Sequence, residues 1–201
     1  MADPNAVICL GEALIDRLGP LGGDPACDQP VDNRLGGAPA NVACGLARLG
    51  TTVAFVGRVG GDAIGADFQD LFSQRGVDTS TLQLDPSHPT RIVLVRRSAD
   101  GERQFQGFAA DQGDGFADQA LQPVALPSAA RWLLVGTIPL ASSQSAQALL
   151  GAVDQARSHG IALALDVNWR PTFWDAAADP AAGPTEAACS AIRPLLEQAA
   201  L

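Results

Sequence analysis

The 201-residue sequence predicts a three-layer α/β/α fold, a mainly parallel sheet covered by helices on both faces, with a small second sheet beside it. Three observations lead there. Short, uninterrupted apolar runs recur, as strands buried on both faces require; helix-length stretches separate them; and two excursions, about 14–35 and 90–108, read as strands outside that alternation.

Ala6-Val7-Ile8-Cys9-Leu10 is the first buried strand and ends at Gly11. Ala13 to Leu18 alternates more nearly, and Gly19 to Pro30 is rich in Gly, Pro and Asp, so the chain leaves the core there and returns through Val31 to Leu35. Gly36-Gly37 then opens a helix. Pro39 suits its first position, where the missing N–H would be unpaired anyway; Arg48 puts positive charge in the last turn and Gly50 closes it. Val42, Leu46 and Leu49 fall at i, i+4 and i+7 and predict the face that packs into the core.

Thr52 to Gly57 is the second main strand, followed by a helix from Asp62, its N-cap, to Gln74, stopping at Gly76. Thr90–Arg97 and Glu102–Phe108 flank Ser98-Ala99-Asp100-Gly101, and Asp-Gly between two such runs is a hairpin signal. Arg91, Arg96, Arg97 and Arg103 give this hairpin local positive charge, suited to an anionic ligand or to solvated strand faces. Arg131 to Gly136 is the third main strand, Ser143 to His159 a helix ending at Gly160, Ile161 to Asp166 the fourth strand, and Thr185 to Ala200 the last helix. His159 reads as helix-end charge and His88 as loop.

Composition excludes several functions. A net charge of −9 and a pI of about 4.5 argue against nucleic acid or anionic membrane as partners. No apolar run approaches the ~20 residues of a membrane helix, and Met1–Asn5 lacks the basic and apolar regions of a signal peptide, so a cytoplasmic protein is expected. All thirteen basic residues are arginine. Lysine-based Schiff-base and Walker A chemistry are therefore absent, and phosphate would have to be held by Arg and main-chain N–H groups. The four cysteines form no C-x-x-C pair and the two histidines stand alone, so no metal site is expected. Asp111-Gln112-Gly113-Asp114-Gly115 lacks the glutamate of an EF-hand. Gly57-Arg58-Val59-Gly60-Gly61-Asp62 follows a strand and opens a helix, but no Gly-x-Gly precedes that helix, which sets a dinucleotide site aside.

In an open parallel sheet ligands bind beyond the carboxyl ends of the strands. Asp16 just after the first strand, Gly36 to Asn41 at a helix mouth, and Asn168 with Arg170 after the fourth strand all fall there. Two residues without Cβ let a ligand approach main-chain N–H groups, Asn41 offers a donor and an acceptor, and an aspartate accepts two hydroxyl hydrogens. Together they suit a polyol.

The segment Arg34–Gly50, with Gly11-Glu12-Ala13-Leu14-Ile15-Asp16 before it and Phe55 to Asp62 after it, resembles the PfkB (ribokinase-like) carbohydrate kinases. Asp166-Val167-Asn168-Trp169-Arg170-Pro171 with Trp174 is similar to the fructokinase branch, so the resemblance runs from Val7 to about Trp174. It implies a ribokinase-like fold and ATP-dependent phosphorylation of a sugar hydroxyl, first of all D-fructose to fructose 6-phosphate, with ribose, 2-keto-3-deoxygluconate or a nucleoside as other acceptors. ATP and Mg2+ are the implied cofactors. Asp16, Gly36, Gly37 and Asn41 are the implied sugar contacts, Phe105 covers an apolar edge, and Asn168 and Arg170 face the substrate or its transferring phosphoryl group. The second sheet becomes a lid over the sugar and a homodimer surface.

The family's catalytic base stands in a Gly-Ala-Gly-Asp motif that these 201 residues lack; Gly60-Gly61-Asp62-Ala63 comes too early. The expectation is therefore the N-terminal part of the fold, residues 1–201, with the C-terminal part missing and most of the ATP pocket absent. Such a chain binds sugar weakly and leaves a strand edge and apolar faces open to association. An inactive sugar-binding or dimer-forming module is the alternative.

Overall fold

The computed structural model describes residues 6–111 and 113–201. Strand β1 (Val7–Leu10) is followed by β2 (Leu14–Leu21), β3 (Asp32–Gly36), helix α1 (Ala38–Arg48), β4 (Val53–Gly60), α2 (Ala63–Arg75), β5 (Leu82–Asp85) and the hairpin β6 (Ile92–Arg97) with β7 (Arg103–Ala109). A 3-10 turn (Ala117–Ala120) leads to β8 (Trp132–Gly136), a second 3-10 turn (Ile138–Ala141), α3 (Ser143–His159), β9 (Ala162–Asp166), the one-turn helix α4 (Pro171–Trp174) and α5 (Glu186–Gln198).

The main sheet has the order β5-β4-β1-β8-β9 and is parallel throughout. Its central strands are apolar almost throughout, Arg58 of β4 being the exception, because both faces are covered. Ile8 and Leu10 point into one core with Leu133, Val135 and Leu149 of α3, whereas Cys9 joins Phe55, Phe68 and Phe72 in another beneath α1 and α2. Burial pushes the Cys9 thiol up to about 12 and leaves it an inert core residue. The second sheet has the order β3-β2-β6-β7; β2 and β6 run parallel, and β3 and β7 pair antiparallel on its flanks.

Four expectations are corrected. The face α1 buries is Pro39, Ala40 and Ala43; Leu46 packs partly buried against the same core as expected, but Val42 is 39% and Leu49 83% exposed. The helix lies too close to the sheet for large side chains: a Cβ on Gly11 would stand 2.4 Å from the Pro39 ring, and one on Gly136 3.3 Å from it. Ala38, not Pro39, is its first residue. Strand β5 was not foreseen, because four residues at a sheet edge, three of them partly or fully exposed, carry no periodic signal. The loop residue His88 is tied to buried Asp85, which also takes Arg58 Nε at 2.8 Å.

The fourth correction concerns Arg91, which neither meets solvent nor faces a ligand. It is 4% exposed, forked onto Asp118 at 2.9 and 3.1 Å, with its guanidinium 4.3–4.8 Å from the ring centroids of Phe108, Phe116 and Phe173. A guanidinium tolerates burial when a carboxylate matches its fork and aromatic faces replace its weak hydration. Arg96 and Arg97 donate to the carbonyls of Gly22 and Gly19, fastening the hairpin to the end of β2 and the turn after it.

Asp62 accepts from Gly65 N at 2.8 Å, capping α2, and also from Thr90 N at 2.7 Å, so one carboxylate sets both the start of α2 and the approach to β6. At the outer edge of β9, the expected open edge carries Ala200 and Leu201: Ala200 N donates to Leu163 O at 2.8 Å, and Leu165 N to Leu201 O at 2.9 Å. Among the described residues no helix is long and apolar enough to cross a membrane.

Because removing one partner strands a buried charge, Asp118→Ala should cost about 3–5 kcal/mol in urea unfolding. Combining Arg91→Met with Asp118→Leu should recover much of that loss; a double variant as unstable as the single one would show that the stranded charge is not the cause.

Candidate functional site

Strands β1 and β8 are neighbours whose following helices, α1 and α3, cover opposite faces of the main sheet, and beyond their carboxyl ends a crevice opens. The second sheet forms its other wall. The cleft has a volume of about 430 Å³, and Asp16, Gly37, Asn41, Phe105, Asn168 and Arg170 all line it.

Asp16 lies within β2, opposite Arg34 and Val93, so it belongs to the second sheet and not to the rim of the main one as the sequence suggested. Burial pushes its carboxyl pKa up, while the Arg103 and Arg170 guanidiniums pull it down. Gly36 stands behind it and outside the cleft lining: a Cβ there would sit 3.0 Å from Asp16 Oδ2. Gly37 is the N-cap of α1 with φ 101°, and a Cβ on it would lie 2.4 Å from Glu12 O. Its carbonyl accepts from Asn41 N at 2.9 Å, which sets Asn41 one turn into the helix, with its side chain in the cleft.

Phe105 and Arg103 enter from β7. The Phe105 ring meets Phe108 edge-on at 5.1 Å, and Phe108 meets Phe173 at 5.0 Å, an aromatic chain from the second sheet to α4. On the main-sheet side the loop after β9 is held by Trp169, whose Nε1 donates to Ala182 O at 2.9 Å and whose ring lies 5.8 Å from that of Trp174. Arg170 makes no ion pair among the described residues; its Nη1 donates to Trp169 O at 3.1 Å. Anchoring this loop is the tryptophan's work, and the neighbouring guanidinium is left for the cleft.

Sequence reasoning gave no role to Glu12, although it stands in the Gly-Glu pair just after β1. It lines the cleft at 1% exposure, and Oε1 accepts from Ala38 N at 3.0 Å. Oε2 has no hydrogen-bond partner among the described residues, and burial pushes the carboxyl up to about 7. The residue type was visible; its burial was not.

Among the described residues no group of three or more His, Cys, Asp or Glu could hold a metal ion. In the acidic stretch the Asp111 carboxylate accepts from Gly113 N and Gly115 N, and Gln112 lies outside the described residues. The cleft thus offers carboxylate acceptors, a helix mouth with Asn41, two arginines and an aromatic wall, a set that matches a compact polyhydroxylated molecule carrying or receiving negative charge.

Residues 5–191 match the model of the pfkB family carbohydrate kinases, and the chain belongs to that family. Fructokinases are among its relatives: it is 36% identical over 165 residues to the fructokinase of Salmonella typhimurium, which covers 82% of this chain and 51% of that protein. The crystal structure of fructokinase from Xylella fastidiosa superposes with a TM-score of 0.80 at 28% identity, over 97% of this chain and 60% of that one. The fructokinase of Vibrio cholerae O395 in its fructose, ADP and calcium ion bound form gives 0.78 at 29% identity, over 98% and 59%. The chain spans about half the length of the curated relatives it matches.

Gly37→Ala should cost about 1–3 kcal/mol, from left-handed backbone strain and the clash with Glu12 O, lowering Tm by several degrees in scanning calorimetry. Gly45→Ala is the control: nothing lies within 4 Å of its Cβ position in mid-helix, so it should stabilise by up to ~1 kcal/mol. Equal Tm values for the two variants would remove the constraint placed on Gly37.

Proposed function

We propose that this chain carries the sugar-binding part of a cytoplasmic, ATP-dependent fructokinase that converts D-fructose to fructose 6-phosphate. The observation that carries the reading is the meeting of Asp16, the Gly37–Asn41 mouth and Asn168–Arg170 in one cleft, although they are distant in sequence. The fructokinase relatives support it, and one solved relative is described with fructose and ADP bound.

In this reading Asp16 accepts two sugar hydroxyls, Asn41 and the α1 mouth hold further ones, and Phe105 lies against the apolar edge of the ring. Arg170, with Arg103 beside it, faces the group being transferred. Guanidiniums take that role because the chain has no lysine, and their forks match phosphate oxygens. ATP with Mg2+ is the proposed phosphoryl donor; the described residues supply no cluster of metal ligands, and the reading assigns this chain none. The second sheet acts as a lid over the sugar and as the surface of a homodimer. A general base, worth roughly 10²–10⁴-fold in such a transfer, is not assigned within these residues.

Asp16→Asn replaces a charged acceptor by an amide. Loss of about 1.5–3 kcal/mol corresponds to fructose binding weakened roughly 10- to 100-fold in a calorimetric titration, and unchanged affinity would remove Asp16 from the site. The 201-residue chain mixed with fructose, ATP and Mg2+ should give no turnover above buffer. Joined to the C-terminal half of a pfkB relative it should regain turnover; robust turnover by the chain alone would defeat this division of labour.

A further inference from the structure

Glu12 stands at the one place where the two sheets and α1 meet. Its main-chain oxygen lies beneath Gly37, where no side chain fits, and its Oε1 accepts the Ala38 N–H, so the same residue holds both halves of the turn that opens α1. Oε2 is buried with no partner. Behind the cleft, Glu12 also lines a small cavity of about 10 Å³, near the lower limit for a single water. Among the described residues no cation pairs with it. Arg58 and Arg91 share that cavity, but Arg58 is taken by Asp85 and Arg91 by Asp118. The other charges around it are the Asp118 and Asp166 carboxylates, and Asp16, Arg103 and Arg170 across the cleft.

We propose that Glu12 is a positioning residue of the ligand cleft: in its ionised form it holds the Gly37–Ala38 turn in the orientation that presents the helix mouth to a polyhydroxylated ligand. The inference rests on the sugar reading of the cleft and adds a regulating group to it. An ionised carboxylate is a stronger acceptor for the Ala38 N–H than a neutral carboxyl, so the mouth is held more firmly once Glu12 has lost its proton. Ligand that prefers the firm mouth must, reciprocally, favour the ionised group.

Affinity therefore rises with pH through neutrality, because burial pushes the Glu12 carboxyl up to about 7. Stability moves the opposite way. A carboxyl whose folded pKa is raised binds more protons folded than unfolded, so its contribution is full below about 4.5 and is lost as pH rises toward 7. A purely structural glutamate would move stability alone; only a group acting on the mouth moves affinity, and with the reverse sign.

The test uses the whole chain with fructose as probe, followed by NMR through the amides of Gly37 and Asn41 and through the carboxyl carbon of Glu12, one of four glutamates. Fructose should bind about three- to tenfold more tightly at pH 8 than at pH 6, and saturating fructose should lower the Glu12 titration midpoint. Glu12→Gln keeps an acceptor for Ala38 but cannot ionise; its affinity should stay at the wild-type low-pH value at every pH. Shifts at Gly37 and Asn41 with a pH-independent affinity, or a pH profile that persists in Glu12→Gln, would overturn the proposal while leaving the sugar reading intact. Fructose that shifts neither amide at any pH would overturn the sugar reading and this proposal with it. If Glu12→Gln does not fold, the wild-type midpoint with and without fructose decides alone: an unmoved midpoint overturns the proposal.

Discussion

The close approach of α1 to the carboxyl end of β1 is the constraint from which the rest of this structure follows. It is permitted by three missing side chains: Gly11 and Gly136 make room for the Pro39 ring, and Gly37 lies against the Glu12 carbonyl with a backbone that other residues adopt only at a cost. Because the helix sits so low, its N-terminal mouth lies at the crevice beyond β1 and β8, with Gly37, Ala38 and Asn41 in the cleft lining. An α1 one side chain farther out would still pack, but Ala38 N would lose the Glu12 acceptor and Asn41 would leave the cleft.

The second wall of the cleft must be held against the first, and here buried charge does the holding. Arg91 from the second sheet and Asp118 from the 3-10 turn form a matched fork, and three rings, one from α4, enclose the guanidinium. Asp62 adds a second tie, since one carboxylate caps α2 and receives the Thr90 amide. Such groups are costly to bury and specific in geometry, so they fix the relation of hairpin to main sheet more narrowly than apolar contact alone would. A chain with arginine as its sole basic residue type suits this use, because a planar fork is satisfied in a dry site where an ammonium is not.

Function follows from what these two constraints bring together. Asp16 comes from the second sheet, Asn41 from the helix mouth and Arg170 from the loop after β9, so the cleft is assembled from three separate parts of the fold. Glu12 lies between them, with no paired cation and no partner for its second oxygen among the described residues. Its ionisation near neutrality belongs to the same geometry that lets the glycines bring α1 so near.

Much of this was legible in the linear chain. Uninterrupted apolar runs announce a parallel sheet covered on both faces, and Asp-Gly marked the β6–β7 hairpin; α3 begins and ends where its pattern does, at Ser143 and His159. Most of the residues that line the cleft could also be named, because polar side chains near strand ends and a glycine pair at a helix mouth are local features; Gly36, named with them, stands outside the lining. What only the tertiary structure decided is which atoms are dry. Val42 and Leu49 carried the expected periodicity and stayed outside, since a helix pressed close to a sheet buries its small residues. Arg91 looked like surface and became core, and Glu12 looked like an ordinary acid and lost its solvent. Burial of a charged group depends on partners contributed from distant segments, so no pattern along the chain encodes it.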